Sequence, residues 1–559
     1  MTRSDEPRRS AAGLSRRRFM QSAAALAAAA AIPDLTGIAG LPEADGTSAE
    51  GVAAAAKPSP KKNIVILITD QERYPRHWPA GWADRNLPNR RRFAAHALTF
   101  RRAYCSASMC SPSRASLFTG LYPAQHGVTE VLQTGAQYAA QHTLQPSTQN
   151  MARMLVSAGY DVHYRGKWHM SKDPSGVLDA QSPRDLARYG FKGWVPPDSG
   201  TDQDASHFGG GVTDYDAEYA AQAAEFLRAA RSTSSKPFAL VIALANPHDI
   251  MGFPSTWDAK SLSDVAPYAG SSNYGDDTPD CLEQGIDLPS TVDEETTRNH
   301  KPGAQARSVV MWAEGLGPLA TPQKQLDYVN FYAFLHRESD RHIGTILDAL
   351  DANPAVRDKT VVIRTADHGE MGLAHGGMRQ KAYTAYEEAL NIPLQVYNPR
   401  WFPKPVETVA LATLVDLMPT LATLAGVPSR DRWAFKGVDL MPVVNDAIAH
   451  PTHPTHPTAA GQDSVIFTTD EVVGEKIVGQ PSHIRCLHDA DMKIALWFDP
   501  DGVRPSEWEL YDLAADPDEL HNMADPTSPW FDARRTAQMK AKLERRMVET
   551  GTTPAISRR

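Results

Sequence analysis

The chain has 559 residues, 42% of them hydrophobic and 22% charged, a globular composition long enough for one large α/β domain plus a smaller unit. Its 57 basic and 66 acidic side chains leave a formal net charge of −9, and no basic stripe follows the N-terminal segment, so the balance argues against a nucleic-acid partner. The four cysteines, Cys105, Cys110, Cys281 and Cys486, are too few for a disulfide scaffold.

Residues 1–60 read as a leader and linker. The stretch SRRRFMQSAAALAAAAAI sets Arg16 and Arg17 before an alanine-rich apolar run, the pattern of a twin-arginine export signal. The run is short and weakly hydrophobic, so a stable membrane anchor is the poorer reading. The expectation is passage through the twin-arginine translocase to a periplasmic or extracellular location. That pathway carries folded proteins, which suits a chain whose active group is installed before export.

The fold begins with KNIVILITD, Lys62–Asp70, a continuous apolar run ending in a carboxylate. Such a run fits a strand buried on both faces of a parallel sheet. Similar runs recur at 161–169, 238–249, 360–370 and 392–397. Between them lie helical patterns. In 330–350 the residues Phe331, Phe334, Leu335, Ile343, Ile346, Leu347 and Leu350 form one stripe, and 413–426 gives another helix. The alternation predicts a three-layer α/β/α sandwich with a large mixed, mostly parallel sheet over 61–445. Polar residues stand where these strands end: Asp70–Gln71, Lys167 with His169, His248, and Asp367–His368. Open α/β sheets bind ligands beyond the carboxyl ends of their strands, so four such tips predict one crevice.

Residues 250–325 are rich in Pro, Gly and Asp and read as an insertion over that crevice. HPTHPTHPT, 450–458, reads as a Pro-rich loop rather than a metal site. Residues 446–559 are expected to form a smaller C-terminal α+β unit with a short antiparallel sheet. Its strands include 492–499 and the start of 507–519, and a last helix begins near Trp530.

One stretch carries more chemistry than the rest. CSPSRASLFTG, 110–120, has a cysteine at a helix start, with Arg114 one turn on. Both features lower a thiol pKa, so a thiol nucleophile is the first reading. The stretch also resembles the signature of the type I, formylglycine-dependent sulfatases of the alkaline phosphatase superfamily: C-x-P-S-R at Cys110, Pro112, Ser113 and Arg114, then Leu117, Thr119 and Gly120. The resemblance extends over roughly 62–525, through GYDVHYRGKWHM, NPHD, TADHGEMGLAHG, AYEEALNIPL and ELYDLAADPDELHNMA.

The resemblance implies a sulfatase that hydrolyses a small-molecule or carbohydrate sulfate ester to alcohol and inorganic sulfate. A formylglycine-generating enzyme would convert Cys110 to 3-oxoalanine, whose hydrate offers two hydroxyls, one to attack sulfur and one to release sulfate. A divalent cation would lie among Asp70, Gln71, Asp367 and His368, with residue 110 as a further ligand. Oxygen donors favour Ca²⁺, and the Gln71 and His368 variations admit Mn²⁺ or Mg²⁺. Arg114 is expected to hold the deprotonated diol, Lys167 and Lys381 the sulfate oxygens, His169 to act as base for release, and His248 to serve the leaving alcohol. Lys381 precedes Tyr386 by five residues where relatives show four, which leaves a surface lysine as its other reading. His375 is placed at the rim, His163 in strand packing and Trp168 beneath the site. The alternatives are a phosphodiesterase or phosphonate monoester hydrolase of the same superfamily, and a non-catalytic protein that binds sulfate or carbohydrate.

Overall fold

The structure, a computed structural model, describes residues 61–135, 138–178, 181–199, 214–254, 280–452 and 462–556. The segment with Arg16 and Arg17, residues 255–279 of the expected insertion at 250–325, and residues 453–461 in and after the histidine-rich loop lie outside the described residues. No helix among the described residues is long and apolar enough to cross a membrane.

The large sheet contains β1 (Asn63–Asp70), β2 (Ala97–Tyr104), β3 (Asp161–Gly166), β4 (Phe238–Pro247), β5 (Thr360–Ala366), β6 (Leu394–Tyr397) and β7 (Val406–Thr413), in the order β3-β4-β1-β5-β6-β2-β7. Every adjacent pair is parallel except those that involve β6, which runs against both β5 and β2. The sheet is therefore mixed and mostly parallel, as expected.

The continuous apolar runs are explained by what each face meets. Along β1, Ile64, Ile66 and Ile68 enter one core cluster while Val65 and Leu67 enter another. Side chains alternate across a strand, so a strand covered on both faces must be apolar at every position. The first face packs against α1 (Cys110–Thr119) and, further along the chain, α4 (Leu417–Ala425). The second packs against α2 (Tyr215–Ala229) and the C-terminal half of α3 (Pro322–Asp351).

The stripe on α3 divides between two surroundings. Ile343, Ile346, Leu347 and Leu350 cover the sheet. Phe331, Phe334 and Leu335 pack instead with Trp82, Ile250 and Phe253. The helix thus overhangs the sheet's carboxyl edge, where its tyrosines reach the site described below.

The second sheet is antiparallel, β11-β10-β9-β8, from β8 (Ser464–Thr469), β9 (His483–Asp489), β10 (Met492–Phe498) and β11 (Glu507–Asp512). One face is covered by Met539, Leu543 and Met547 of α5 (Ala533–Thr550). That helix starts a few residues later than expected because Asp532 caps it, accepting from Arg535 N at 2.8 Å. A parallel bridge between Ala107 and Thr468 joins the small sheet to the loop after β2.

Candidate active site

Each polar tip lies at one edge of the large sheet. Asp70 ends β1, Lys167 and His169 follow β3, His248 follows β4 and Asp367–His368 follow β5. Cys110 opens α1 a few residues beyond the end of β2, at the same edge. The topology therefore brings residues 40 to 300 positions apart into one buried cluster.

The local sequence explains why α1 starts and stops where it does. Met109 is its N-cap, Pro112 sits in the first turn, where a helix needs no N–H, and all ten residues are buried. Gly120 ends it at φ 68°, and a Cβ there would meet Met418 Cβ at 2.7 Å. Ser113 Oγ donates to the Asp367 carbonyl at 2.5 Å, and Arg114 Nη1 lies 3.1 Å from Asp367 Oδ2 and 3.6 Å from Asp70 Oδ2. Arg114 also donates to the carbonyls of Lys167 and Trp168. The Pro-Ser-Arg that follows the cysteine thus docks one helix onto two strand ends.

Cys110 Sγ sits 3.1 Å from His368 Nε2 and 3.6 Å from Asp70 Oδ1. Ligand atoms of Asp70, Cys110, Asp367 and His368 all lie within 4.8 Å of one another. The thiol reading is corrected here: burial, and then the charge of Asp70, push the Cys110 thiol up to about 12. The charges of Lys381 and Lys167 act the other way without outweighing burial.

Lys167 Nζ lies 2.8 Å from Asp70 Oδ2. Lys381 is fully buried and donates to Gln71 Oε1 at 2.5 Å, so the surface reading of that lysine does not hold. His248 is buried close to Asp70, Lys167 and Lys381, whose charges act on it. Burial opposes ionisation of Asp70, but Lys167, His248, His368 and Arg114 together hold it well below its ordinary value. Asp367 goes the other way: burial, then the Asp70 charge, push it up to about 7.

Three residues of the site hold left-handed backbones without being glycine: Gln71 at φ 64°, His169 at 52° and Gln380 at 65°. Such conformations cost about 1–3 kcal/mol each and persist only where the surroundings enforce them. Each has its N–H held by a buried carboxylate: Gln71 by Asp367 Oδ1 at 3.1 Å, His169 by Asp198 Oδ2 at 2.8 Å, and Gln380 by Glu370 Oε1 at 2.9 Å. The turn before Lys167 needs Gly166, at φ 94°, since a Cβ there would meet the Ala243 carbonyl at 2.0 Å.

Sequence reasoning missed Asp198 and Glu370. Asp198 also accepts from Trp168 N at 2.9 Å, and nothing in its own stretch marks it. Glu370 pins the Gln71 amide nitrogen and accepts from Tyr328 Oη of α3 at 2.8 Å; it stood in the motif TADHGE without a role. Tyr332 Oη of the same helix donates to the Gln71 carbonyl at 2.7 Å.

His163 and Trp168 lie as expected. His163 bonds Asp161 and packs on Phe226, and Trp168 is buried against Phe118, Tyr164, Tyr189 and Phe191. His375 does not lie at the rim. It is buried, stacked on Tyr386 at 3.7 Å, with Nδ1 2.7 Å from Glu294 Oε2, because acids at 294 and 388 draw it into a second charged cluster.

The donor set at the first cluster fits a hard divalent cation: two buried carboxylates, an imidazole, and an amide oxygen whose nitrogen is tied back by Glu370 and Gln380.

The chain is also similar to known proteins. The family model described as Sulfatase matches residues 62–427, and that of the N-sulphoglucosamine sulphohydrolase C-terminal region matches 376–551. A choline-sulfatase from Rhizobium meliloti is 26% identical over 509 residues, covering 85% of each chain. A structure described in complex with its substrate, D-glucosamine-2-N,6-O-disulfate, superposes with a TM-score of 0.65 at 19% identity, covering 89% of this chain and 100% of the other. The phosphonate monoester hydrolase of Agrobacterium radiobacter superposes at 0.60 with 20% identity, covering 88% and 96%. With the Sulfatase family model matched over residues 62–427, the protein belongs to the sulfatase family of sulfuric ester hydrolases.

Proposed function

We propose that the protein is an exported, formylglycine-dependent sulfatase acting on a sulfated sugar or another small sulfate ester. The observation that carries this reading is the surroundings of Cys110 Sγ. Two carboxylates, an imidazole and the charges of two lysines converge on Cys110 Sγ, a set of groups suited to bind a cation and a sulfate ester around a formylglycine at that position. As formylglycine, residue 110 would supply a hydrated aldehyde with two hydroxyls on one carbon, one for attack and one for release. Asp70, Gln71, Asp367 and His368 would hold a divalent cation, Ca²⁺ by donor type with Mn²⁺ or Mg²⁺ as substitutes, and the cation would polarise the attacking oxygen and neutralise sulfate charge.

The chain's own groups do the rest. Lys167 and Lys381 each keep N–H donors beyond their bonds to Asp70 and Gln71, and these take the sulfate oxygens. Arg114, fixed to both carboxylates, holds negative charge at residue 110. His248, near both lysines, serves the departing alcohol. His169 takes the proton that sulfate release requires. Its ring is kept neutral, burial and then Lys167 lowering it to about 3, so that a lone pair is present at working pH. Maturation by a formylglycine-generating enzyme and export by the twin-arginine translocase complete the proposal, supported by the motif at 110–120 and by Arg16–Arg17.

The test pairs mass spectrometry of the peptide containing residue 110 with turnover of nitrophenyl sulfate and of bis-nitrophenyl phosphate. Aldehyde at 110 with the sulfate ester preferred is expected. Preference for the phosphodiester by orders of magnitude would favour the phosphonate monoester hydrolase reading, to which the shared fold gives weight. Full activity with unmodified cysteine would reject the mechanism.

A further inference from the structure

The small sheet sends the loop after β8 back to the active site, and Glu471 is its buried point of contact. Glu471 is 1% exposed. Its carboxylate accepts three backbone N–H groups: Val131 on Oε2 at 2.9 Å, and Val472 and Val473 on Oε1 at 3.0 and 2.8 Å. Among the described residues no cation pairs with it, and burial pushes it up to about 7, so it is an expensive residue to keep unless the bonds matter.

Val131 opens a strap that ends on a catalytic-site histidine. Every main-chain polar group from Val131 N to Gln133 N is fixed. Gln141 Nε2 donates to the Val131 carbonyl at 2.7 Å, Leu132 N donates to Ser111 Oγ at 3.0 Å, His169 Nε2 meets the Leu132 carbonyl at 2.9 Å, and Gln133 N donates to Gln141 Oε1 at 2.8 Å. On the other flank Tyr383, two residues after Lys381, donates its hydroxyl to the carbonyls of Glu471 and Val473 at 3.2 and 2.9 Å.

We propose that Glu471 is a positioning residue: through Val131–Leu132 it holds the carbonyl that decides which ring nitrogen of His169 carries the proton, and through Tyr383 its loop braces the segment of Lys381. A carbonyl only accepts, so in a neutral ring Nε2 carries the hydrogen and Nδ1 keeps the lone pair. Among the described residues Nδ1 is buried without a hydrogen-bond partner, which is the state a base needs. Loss of the Glu471 carboxylate leaves Val131 N–H without an acceptor, frees the strap, and lets the other tautomer form. The inference rests on the reading of His169 as base.

The experiment uses full-length protein labelled with ¹⁵N in the histidine rings, with His169→Ala to assign the signal. Wild type is expected to show His169 protonated at Nε2. Glu471→Gln is expected to show mixed tautomers and a kcat lowered about 10–100-fold, the scale of losing a group that orients a site residue, with KM little changed and the same aldehyde occupancy at 110. An unchanged tautomer overturns the proposal, whatever happens to kcat, and so does an unchanged kcat. If Glu471→Gln fails to fold, Glu471→Asp, which keeps the charge but retracts it by one methylene, gives the same two readings. Should His169→Ala keep full turnover, the assignment of the base fails. Should His169→Ala be inactive while Glu471→Gln matches wild type, the base stands and only the positioning role falls.

Discussion

Two buried charged clusters of this protein use the same side-chain types to opposite ends. Around Cys110, Asp70 and Asp367 face Arg114, Lys167 and Lys381, with Gln71 and His368 converging on the same space. Around His375, each acid meets a cation of the chain. Glu294 pairs with Lys301 and His375, Glu388 with Arg76 at 3.5 Å and His77 at 2.6 Å, Glu387 with Lys493 at 3.6 Å and His488 at 3.1 Å, and Glu519 with Lys493. The carboxylates report the difference. Burial works against all of them, yet in the second cluster Glu294, Glu387 and Glu388 are held below their ordinary value by neighbouring His, Lys and Arg, with Glu519 as the exception, raised by burial and adjacent acids. In the first, Asp70 is likewise held low by neighbouring cations while Asp367 beside it is raised. The second cluster works as a latch, tying Glu387 to His488 and Lys493 of the small sheet, whereas the first gathers ligand atoms of four residues around one point.

The sharpest break of that comparison is Cys110→Ala set against Glu388→Gln. The first is expected to lower kcat/KM for nitrophenyl sulfate by at least about 10⁴-fold, the scale of removing a covalent nucleophile. The second is expected to leave turnover per folded molecule unchanged. Comparable losses in both would mean the second cluster belongs to the reaction.

Lys493→Met tests the latch from the other side. It strands Glu519 and Glu387, and removing one member of a buried pair costs about 3–5 kcal/mol, read as a lower denaturant midpoint with intact turnover below the transition. Acid should do the same gradually. Glu387 and Glu388 titrate lower in the folded chain than in the unfolded one, so their contribution is complete above the ordinary glutamate value and disappears as pH falls below it. A midpoint insensitive to pH over that range would show that the pairs add nothing.

A cation should distinguish the clusters next. Ca²⁺ at a hundred times its dissociation constant is expected to stabilise the protein by about 2.7 kcal/mol, seen as a rise in melting temperature that chelator reverses. Asp367→Asn should abolish that rise, and Glu388→Gln should keep it. The reverse pattern would place the ion among His375, Glu388 and Glu519, whose ligand atoms also lie within reach of one another.

Most of the first cluster was legible in sequence because Asp70, Lys167, His169, His248, Asp367 and His368 stand where a strand pattern breaks off, while Arg114 and Lys381 were assigned only through the family resemblance. An apolar run that ends in Asp70 or Asp367 shows both the strand and its tip. What holds those tips was not legible. Asp198 lies 29 residues from the His169 N–H it accepts, and Glu471 lies 340 from that of Val131; no local pattern marks a carboxylate that bonds distant backbone. His375 could be matched to relatives by identity, but its burial depends on Glu294, 81 residues away. The strands β2 and β7 escaped notice for a different reason. β7 is an edge strand and β2 its neighbour, with Arg101 and Glu407 exposed, so neither reads as a continuous apolar run.

The exposed pair on those two strands supplies the smallest expected effect. Arg101 Nη1 lies 3.1 Å from Glu407 Oε2, a distance no worse than many in the buried clusters, but the two side chains are 56% and 59% exposed. Water already solvates both charges, and holding two long side chains in one geometry costs entropy, so a double-mutant cycle on Arg101→Ala and Glu407→Ala should return about 0–1 kcal/mol, diminishing with added salt. The Lys493–Glu519 pair, buried on both sides, should keep its coupling in the same salt series because screening ions do not reach it. Equal salt sensitivity of the two pairs would mean that solvent enters the second cluster and that burial does not shield its charges.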